Sequence, residues 1–164
     1  MHPVISQLPS HVFYGGRLSD GPDMANKTAQ VWHNDSKFGV YRFFSVNRGK
    51  EEVNIVGHSL YNREECRIIV ALYDRLVRQF PSIDFNRRIG IVSMYRAQVS
   101  EIKKSFLARF GKEIFDKVDF NTVDGFQGQE KDIIILSCVR GGPNVSAVGF
   151  LAGTSNRVIP RTEH

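Results

Sequence analysis

Two cysteines, one tryptophan and three methionines are all that 164 residues contain of those types. Cys66 and Cys138 are too few for a disulfide framework or a thiolate metal site. Each sits in an apolar, periodic segment, which predicts two buried thiols in a reducing compartment. No apolar run approaches the roughly 20 residues that span a bilayer, and Ile133 to Leu136 reads instead as a buried strand. Met1 is followed by His2 and Pro3 without a basic and then apolar stretch, so neither a secretory leader nor a transit segment is expected. The phosphate loop G-x-x-x-x-G-K-[ST] is missing, because Gly111-Lys112 runs into Glu113. G-x-S-x-G, H-E-x-x-H and paired C-x-x-C are missing too. The histidines at 2, 11, 33, 58 and 164 share no metal-ligand spacing, so no metal site is expected.

The chain is rich in basic charge at one place. Its net charge is +5. Residues 84 to 112 hold Arg87, Arg88, Arg96, Lys103, Lys104, Arg109 and Lys112 against Asp84 and Glu101, so seven bases less two acids give +5 there alone. Such a patch suits a polyanion. On charge alone, a solvated helix face accounts for it equally well.

Residues 1 to 39 are punctuated by Pro and Gly and read as irregular, with one short helical turn near Val4 to Leu8. Tyr41 to Val46 has the aromatic content of a strand, and Asn47 to Gly57 reads as a polar loop. Asn62 opens a helix, with Glu65 three residues on as a capping-box partner reaching back. Cys66, Ile69, Leu72 or Tyr73, Leu76 and Phe80 form its apolar face up to Pro81. Arg88 to Ser93 is a buried strand. Tyr95, Val99, Ile102, Phe106 and Phe110 make a second helical stripe closed by Gly111, and its bases fall on one side. Val118 to Val123 and Asp132 to Val139 are further strands. Strands alternating with helices predict an α/β fold with a mostly parallel sheet covered by helices on both faces. Ligands gather beyond the carboxyl ends of such strands, which selects the loops after Val92, Phe120 and Val139.

Two junctions stand out. NTVDGFQGQEK, residues 121 to 131, lies between two strands and so at the ligand edge; Gly125 and Gly128 would admit a phosphate to the backbone. Gln127, Gln129 and Glu130 could orient a ribose or a water, and Thr122 and Asp124 could meet a nucleic-acid backbone. A plain glycine turn capped by Asp124 explains the same residues. At the second junction Ser93 can cap the helix that begins near Tyr95, with Gln98 one turn on. An ordinary N-cap with Tyr95 in the core is sufficient there.

Six blocks occur in a fixed order: HPxIS from His2, FYxGxLxDG from Phe13, NxxE from Asn62, IGIVSxYxxQ from Ile89, DFNTVDGFQGQEKD from Asp119 and SCVR from Ser137. This order resembles the second RecA-like motor domain of superfamily 1 helicases of the up-frameshift type, and within it the senataxin branch, from Met1 to about Ala152. The resemblance implies a RecA-like, P-loop-NTPase-type sheet, incomplete at both ends, as a partial motor domain over 1–152 with a divergent tail over 153–164. It implies nucleic-acid contacts from Ser93, Tyr95, Thr122 and Asp124, to which the basic residues Lys103 and Lys104 add. It implies nucleotide contacts from Gln127, Gly128 and Glu130. Met94 stands where the family has Pro, so the turn after Ser93 is less rigid here.

The same resemblance implies ATP and Mg²⁺ as partners of a complete two-lobe helicase and no cofactor for this chain alone. It implies RNA or single-stranded DNA and the missing first RecA-like lobe as partners, no membrane, and a nuclear or cytoplasmic setting with the nucleus favoured. The family's Gln-Tyr-Arg before the first block, its first lobe and its arginine finger are not recognisable in these residues. Arg157 and Arg161 fall outside the finger's register and Pro160 would break its helix. The expected function is that of a motor lobe not catalytic by itself. The alternatives are a non-catalytic nucleic-acid-binding module and a truncated or mis-spliced reading frame.

Overall fold

The computed structural model describes residues 1–55 and 57–140. The chain divides into two units, Met1–Ser45 and Val46–His164. In the first unit α1 runs over Pro3–Tyr14. Sequence alone suggests only a turn there, because Pro9 cannot donate to the helix. The helix continues through Pro9 because both ends are closed. His2 Nδ1 accepts from Val4 N at 3.2 Å, and Gly15 takes a left-handed φ of 58°. A short α2 (Met24–Lys27) and a 3-10 turn at Val31–Asn34 follow, the latter burying Trp32. Tyr41 to Val46 is not a strand. It pairs with none of the described strands, and Phe43 is 79% exposed.

The second unit opens on an antiparallel hairpin, β1 (Glu52–Asn54) and β2 (Ser59–Tyr61), where the sequence reads as a loop. Strands this short carry too little alternation to be seen; the pair is fastened by Tyr61 OH donating to Glu52 at 2.9 Å. Helix α3 (Arg63–Gln79) begins as expected, with Asn62 Oδ1 accepting from the amides of Glu64 and Glu65. Then come β3 (Ile89–Ser93), α4 (Arg96–Phe110), α5 (Ile114–Lys117), β4 (Val118–Thr122) and β5 (Ile133–Ser137). The strands are parallel in the order β4-β3-β5, and the register sets Ile91 beside Phe120 and Ile135.

Side chains alternate across a strand, so Ile89, Ile91, Val118 and Phe120 share one face. Helix α4 packs there through Phe106, whose ring centroid is 5.0 Å from that of Phe120, and α3 packs on α4 through Tyr73. The opposite face carries Gly90, Val92, Ile134 and Leu136. Within this unit no described helix covers that face. The Phe126 ring lies on Gly90, where any Cβ would come within 2.9 Å of it, and Ile134 and Leu136 stay 48% and 51% exposed. No helix of the described residues is long and apolar enough to cross a membrane.

The two thiols differ, contrary to the expectation that both are buried. Cys66 is buried under α4, and Cys138 is exposed because it lies one residue past the end of β5. Burial, with help from the carboxylates of Glu101 and Glu65, pushes the Cys66 thiol up to about 12. Cys138 is also shifted upward, by partial desolvation and Glu65. A thiol-reactive chromophore should therefore titrate one equivalent in the native protein at mildly alkaline pH and a second only after unfolding. Two equivalents reacting at equal rates in the native state would contradict this packing.

Candidate nucleic-acid interface

The sheet register places Ser93, Thr122 and Ser137 side by side at the carboxyl ends of the three strands. Ser93 is fully buried. Its hydroxyl donates to the Ser137 carbonyl at 2.9 Å and accepts from Tyr95 N at 3.3 Å. The Ser93 carbonyl accepts from Val123 N at 3.1 Å, which ties the tip of β3 to the start of the loop after β4. Tyr95, half-buried, stands at the N-cap of α4. The cap differs from expectation: the first-turn amide of Ala97 is taken by Ser59 of β2 at 3.1 Å, because Ser93 sits two residues too early to reach it.

The loop after β4 is locked from within. Asn121 Nδ2 donates to the Gly125 carbonyl at 2.7 Å, and Gly125 N donates to Thr122 Oγ1 at 3.3 Å. A Cβ on Gly125 would overlap the Asn121 amide, which is why glycine stands there. The turn is thus held by Asn121 and Thr122, and the Asp124 side chain makes no cap. Thr122 is half-buried and Asp124 exposed. Phe126 then carries the chain under Gly90. Gly128 has a φ of 81° with open space beside it, and Gln127 and Glu130 are exposed. At the far end Lys131 pairs with Asp119, and Asp132 with Arg88 at 2.5 Å, at the opposite edge of the sheet. The sequence places this whole block at the ligand edge. The backbone turns away after Gly125, because a parallel connection must return to the start of the next strand, and Gln129 Nε2 reaches back to the Gly125 carbonyl at 3.4 Å. Gln127, Gly128 and Glu130 belong to the returning half.

Behind the strand tips lies a polar cluster that the residue pattern does not announce. Gln98 is 0% exposed. Its Oε1 accepts from Asn62 N at 2.7 Å, and its Nε2 donates to Asn62 O at 3.2 Å and to Ser137 Oγ at 2.9 Å. With its own amide taken by Gln98, Asn62 does not receive Glu65 as a capping-box partner. The Glu65 carboxylate instead accepts from Ser137 Oγ at 2.5 Å and from Val139 N at 3.1 Å. The signal available in the sequence was Gln98 itself, a polar residue three after Tyr95 and four before Ile102 on the apolar stripe of α4.

The basic patch is partly neutralised. Lys104 pairs with Glu101 at 2.6 Å, and Arg109 turns toward α3 to meet Asp74 at 3.7 Å, so the bases do not share one side of α4. Lys103 is exposed and makes no ion pair among the described residues. Helical rise puts it roughly 10 Å along the axis from Arg96, away from the strand tips. Among the described residues no three His, Cys, Asp or Glu side chains converge as metal ligands, so these residues do not fit a Mg²⁺ ion.

Parallel strands, a covering helix pair and bonded loops at the carboxyl edge define an α/β domain with its ligand edge at the strand tips. The model of a family described as an AAA domain matches residues 1–158, and the chain belongs to that family, in its helicase branch. It is 48% identical over 151 residues to Helicase sen1 of Schizosaccharomyces pombe, covering 92% of this chain and 9% of the relative. It is 47% identical to Helicase SEN1 of Saccharomyces cerevisiae, covering 92% and 7%. It is 35% identical to the ATP-dependent helicase NAM7 of the same yeast, covering 92% and 15%. The chain thus spans less than a tenth of the length of the two Sen1 helicases.

Proposed function

We propose that this chain is the second RecA-like motor lobe of a Sen1-type helicase acting on RNA or single-stranded DNA. The observation that carries the reading is the bond from Val123 N to the Ser93 carbonyl. It fastens the first residue after β4 to the tip of β3, at the edge where such sheets bind ligands. Tyr95, Thr122 and Asp124 lie along that edge and would meet the phosphodiester backbone. Ser93 has its hydroxyl engaged within the fold, so its part is to hold the turn after β3 against the tip of β5. Gln127, Gly128 and Glu130, on the returning half of the loop, would face nucleotide once a first lobe is present. ATP and Mg²⁺ belong to that two-lobe assembly, with residues 1–152 as the motor part, 153–164 as a divergent tail and the nucleus as the site of action. The tail lies outside the described residues, as do Arg157 and Arg161. Alone, the chain should not turn over ATP, since phosphoryl transfer needs a phosphate loop, Mg²⁺ and an arginine together.

Titration of a fluorescent single-stranded RNA at several salt concentrations tests the binding half of this reading. The logarithmic salt slope should be near −0.7 per phosphate neutralised. Lys103→Ala should lower it by roughly one unit, and Lys104→Ala by less, because Glu101 already holds that ammonium. Thr122→Ala should weaken binding by about 1 kcal/mol at an unchanged slope, since it removes a neutral hydroxyl. Absence of binding would remove the nucleic-acid role, and a slope indifferent to Lys103 would remove the basic face of α4 from it. Phosphate release by the chain alone, scaling with protein and surviving repurification, would remove the non-catalytic one.

A further inference from the structure

The turn after β5 is held in a conformation its residues disfavour. Val139 has a φ of 67° and is fully buried. A β-branched residue with positive φ is a true outlier and persists only where its surroundings over-determine it. Arg140 N donates to the Cys138 carbonyl at 2.7 Å, so Cys138–Arg140 is a γ-turn of the rare, strained positive-φ type. Both remaining backbone groups of Val139 are gripped from the start of α3. Its N–H goes to Glu65 at 3.1 Å, and its carbonyl accepts from Asn62 Nδ2 at 3.3 Å. The two residues that would form a capping box are a clamp on a peptide more than 70 residues away. Gln98 braces both jaws, through Asn62 N on one side and Ser137 Oγ on the other. The turn points the chain so that Arg140 leaves the tip of β5 and pairs with Glu51 at 3.3 Å.

We infer that Glu65 is a positioning residue: its carboxylate holds the strained turn at Val139 and thereby sets the loop carrying Arg140 as a third wall beside the Ser93 and Thr122 loops. The tip of β3 and the start of the loop after β4 are joined directly by the Val123 bond. The described turn after β5 is tied by this clamp, by the Ser93 hydroxyl on Ser137 and by the Arg140–Glu51 pair. That the third wall serves nucleic acid rests on the function proposed above. The clamp itself does not.

The test uses the full chain with Glu65→Ala, Glu65→Gln, Val139→Gly and the Glu65→Ala, Val139→Gly double variant. Amide hydrogen exchange is read first. In Glu65→Ala the Val139 amide should exchange about tenfold faster or more, while Ile91 and Ile135 in the sheet keep their protection. Glu65→Gln should stay close to wild type, since one amide oxygen can accept both bonds. An unchanged Val139 amide, or equal loss of protection across the sheet, would overturn the assignment. RNA titration is read second, at a temperature where every variant is folded. Removing a negative charge should by itself strengthen binding, so a roughly fivefold loss in Glu65→Ala reports geometry. Glycine takes positive φ without strain, so the Glu65→Ala loss should shrink to about twofold or less in the Val139→Gly background. Tighter binding by Glu65→Ala, or equal losses in both backgrounds, would show that the turn does not act on RNA. If wild type binds no RNA, the proposed function fails while the exchange result still decides the clamp.

Discussion

Replacing Phe106 with alanine should lower stability by roughly 3–5 kcal/mol, the largest effect of any single truncation expected here. Phe106 is 0% exposed, and its ring centroid lies 5.3 Å from Tyr73, 5.4 Å from Phe110 and 5.0 Å from Phe120. Those rings come from α3, α4 and β4, so one side chain joins both covering helices to the sheet. Truncation forfeits the transfer free energy of the ring and leaves a cavity that three rigid elements cannot close. The loss corresponds to about 10 °C in melting temperature for a chain of this size. Urea unfolding of the variant beside wild type gives the number directly. Phe106→Leu, which keeps most of the volume, should lose well under half as much. A loss of less than about 1.5 kcal/mol for alanine would mean that the aromatic cluster is not the centre of this core.

Gln98→Leu should come second, with a loss of about 1–3 kcal/mol from one buried amide left unpaired and two further bonds lost. Leucine nearly fills the same space, so a cavity is a minor part of the effect. Asn62 N loses its acceptor, whereas Asn62 O keeps the Cys66 amide and Ser137 Oγ keeps the Glu65 carboxylate. Gln98→Glu separates packing from polarity. It keeps the acceptor for Asn62 N but turns the donor end toward Ser137 Oγ into a second acceptor and adds charge near Glu65. It should therefore be no better than leucine. Equilibrium unfolding measures both, and a Leu variant as stable as wild type would show that the cluster is not needed for the fold.

The parts of the fold that were legible in the sequence share one property: a period. Cys66, Ile69, Tyr73 and Leu76 recur at helical spacing, as do Val99, Ile102 and Phe106, and the structure buries these side chains. The apolar runs of β3 and β5 marked them as strands of a parallel sheet, and the α/β class followed. Where no period exists the reading failed. The hairpin of β1 and β2 has three residues a side, α1 hides behind Pro9, and Tyr41 to Val46 has strand composition but pairs with none of the described strands. The uninterrupted run Ile133 to Leu136 predicts a strand buried on both faces, and the structure corrects this: Ile134 and Leu136 stay half exposed because no described helix of their unit covers that face.

The candidate site divides along the same line. Local sequence determined the glycine turn after Thr122, since Gly125 and Asn121 stand four apart and their contact needs only the turn itself. It also determined the family, through blocks whose order and spacing survive in one dimension. The partners of Glu65, Asn62 and Gln98 were decided by tertiary structure alone. A capping box is the local solution for Asn62 and Glu65. It is displaced because Gln98 arrives from 36 residues away with a carbonyl 2.7 Å from the Asn62 amide. Once that donor is satisfied the Glu65 carboxylate has no local claim on it, and it turns to the hydroxyl and amide that parallel packing of β5 on β3 brings within reach. Buried polar groups must be paired, but which partner pairs them is set by what the fold brings close.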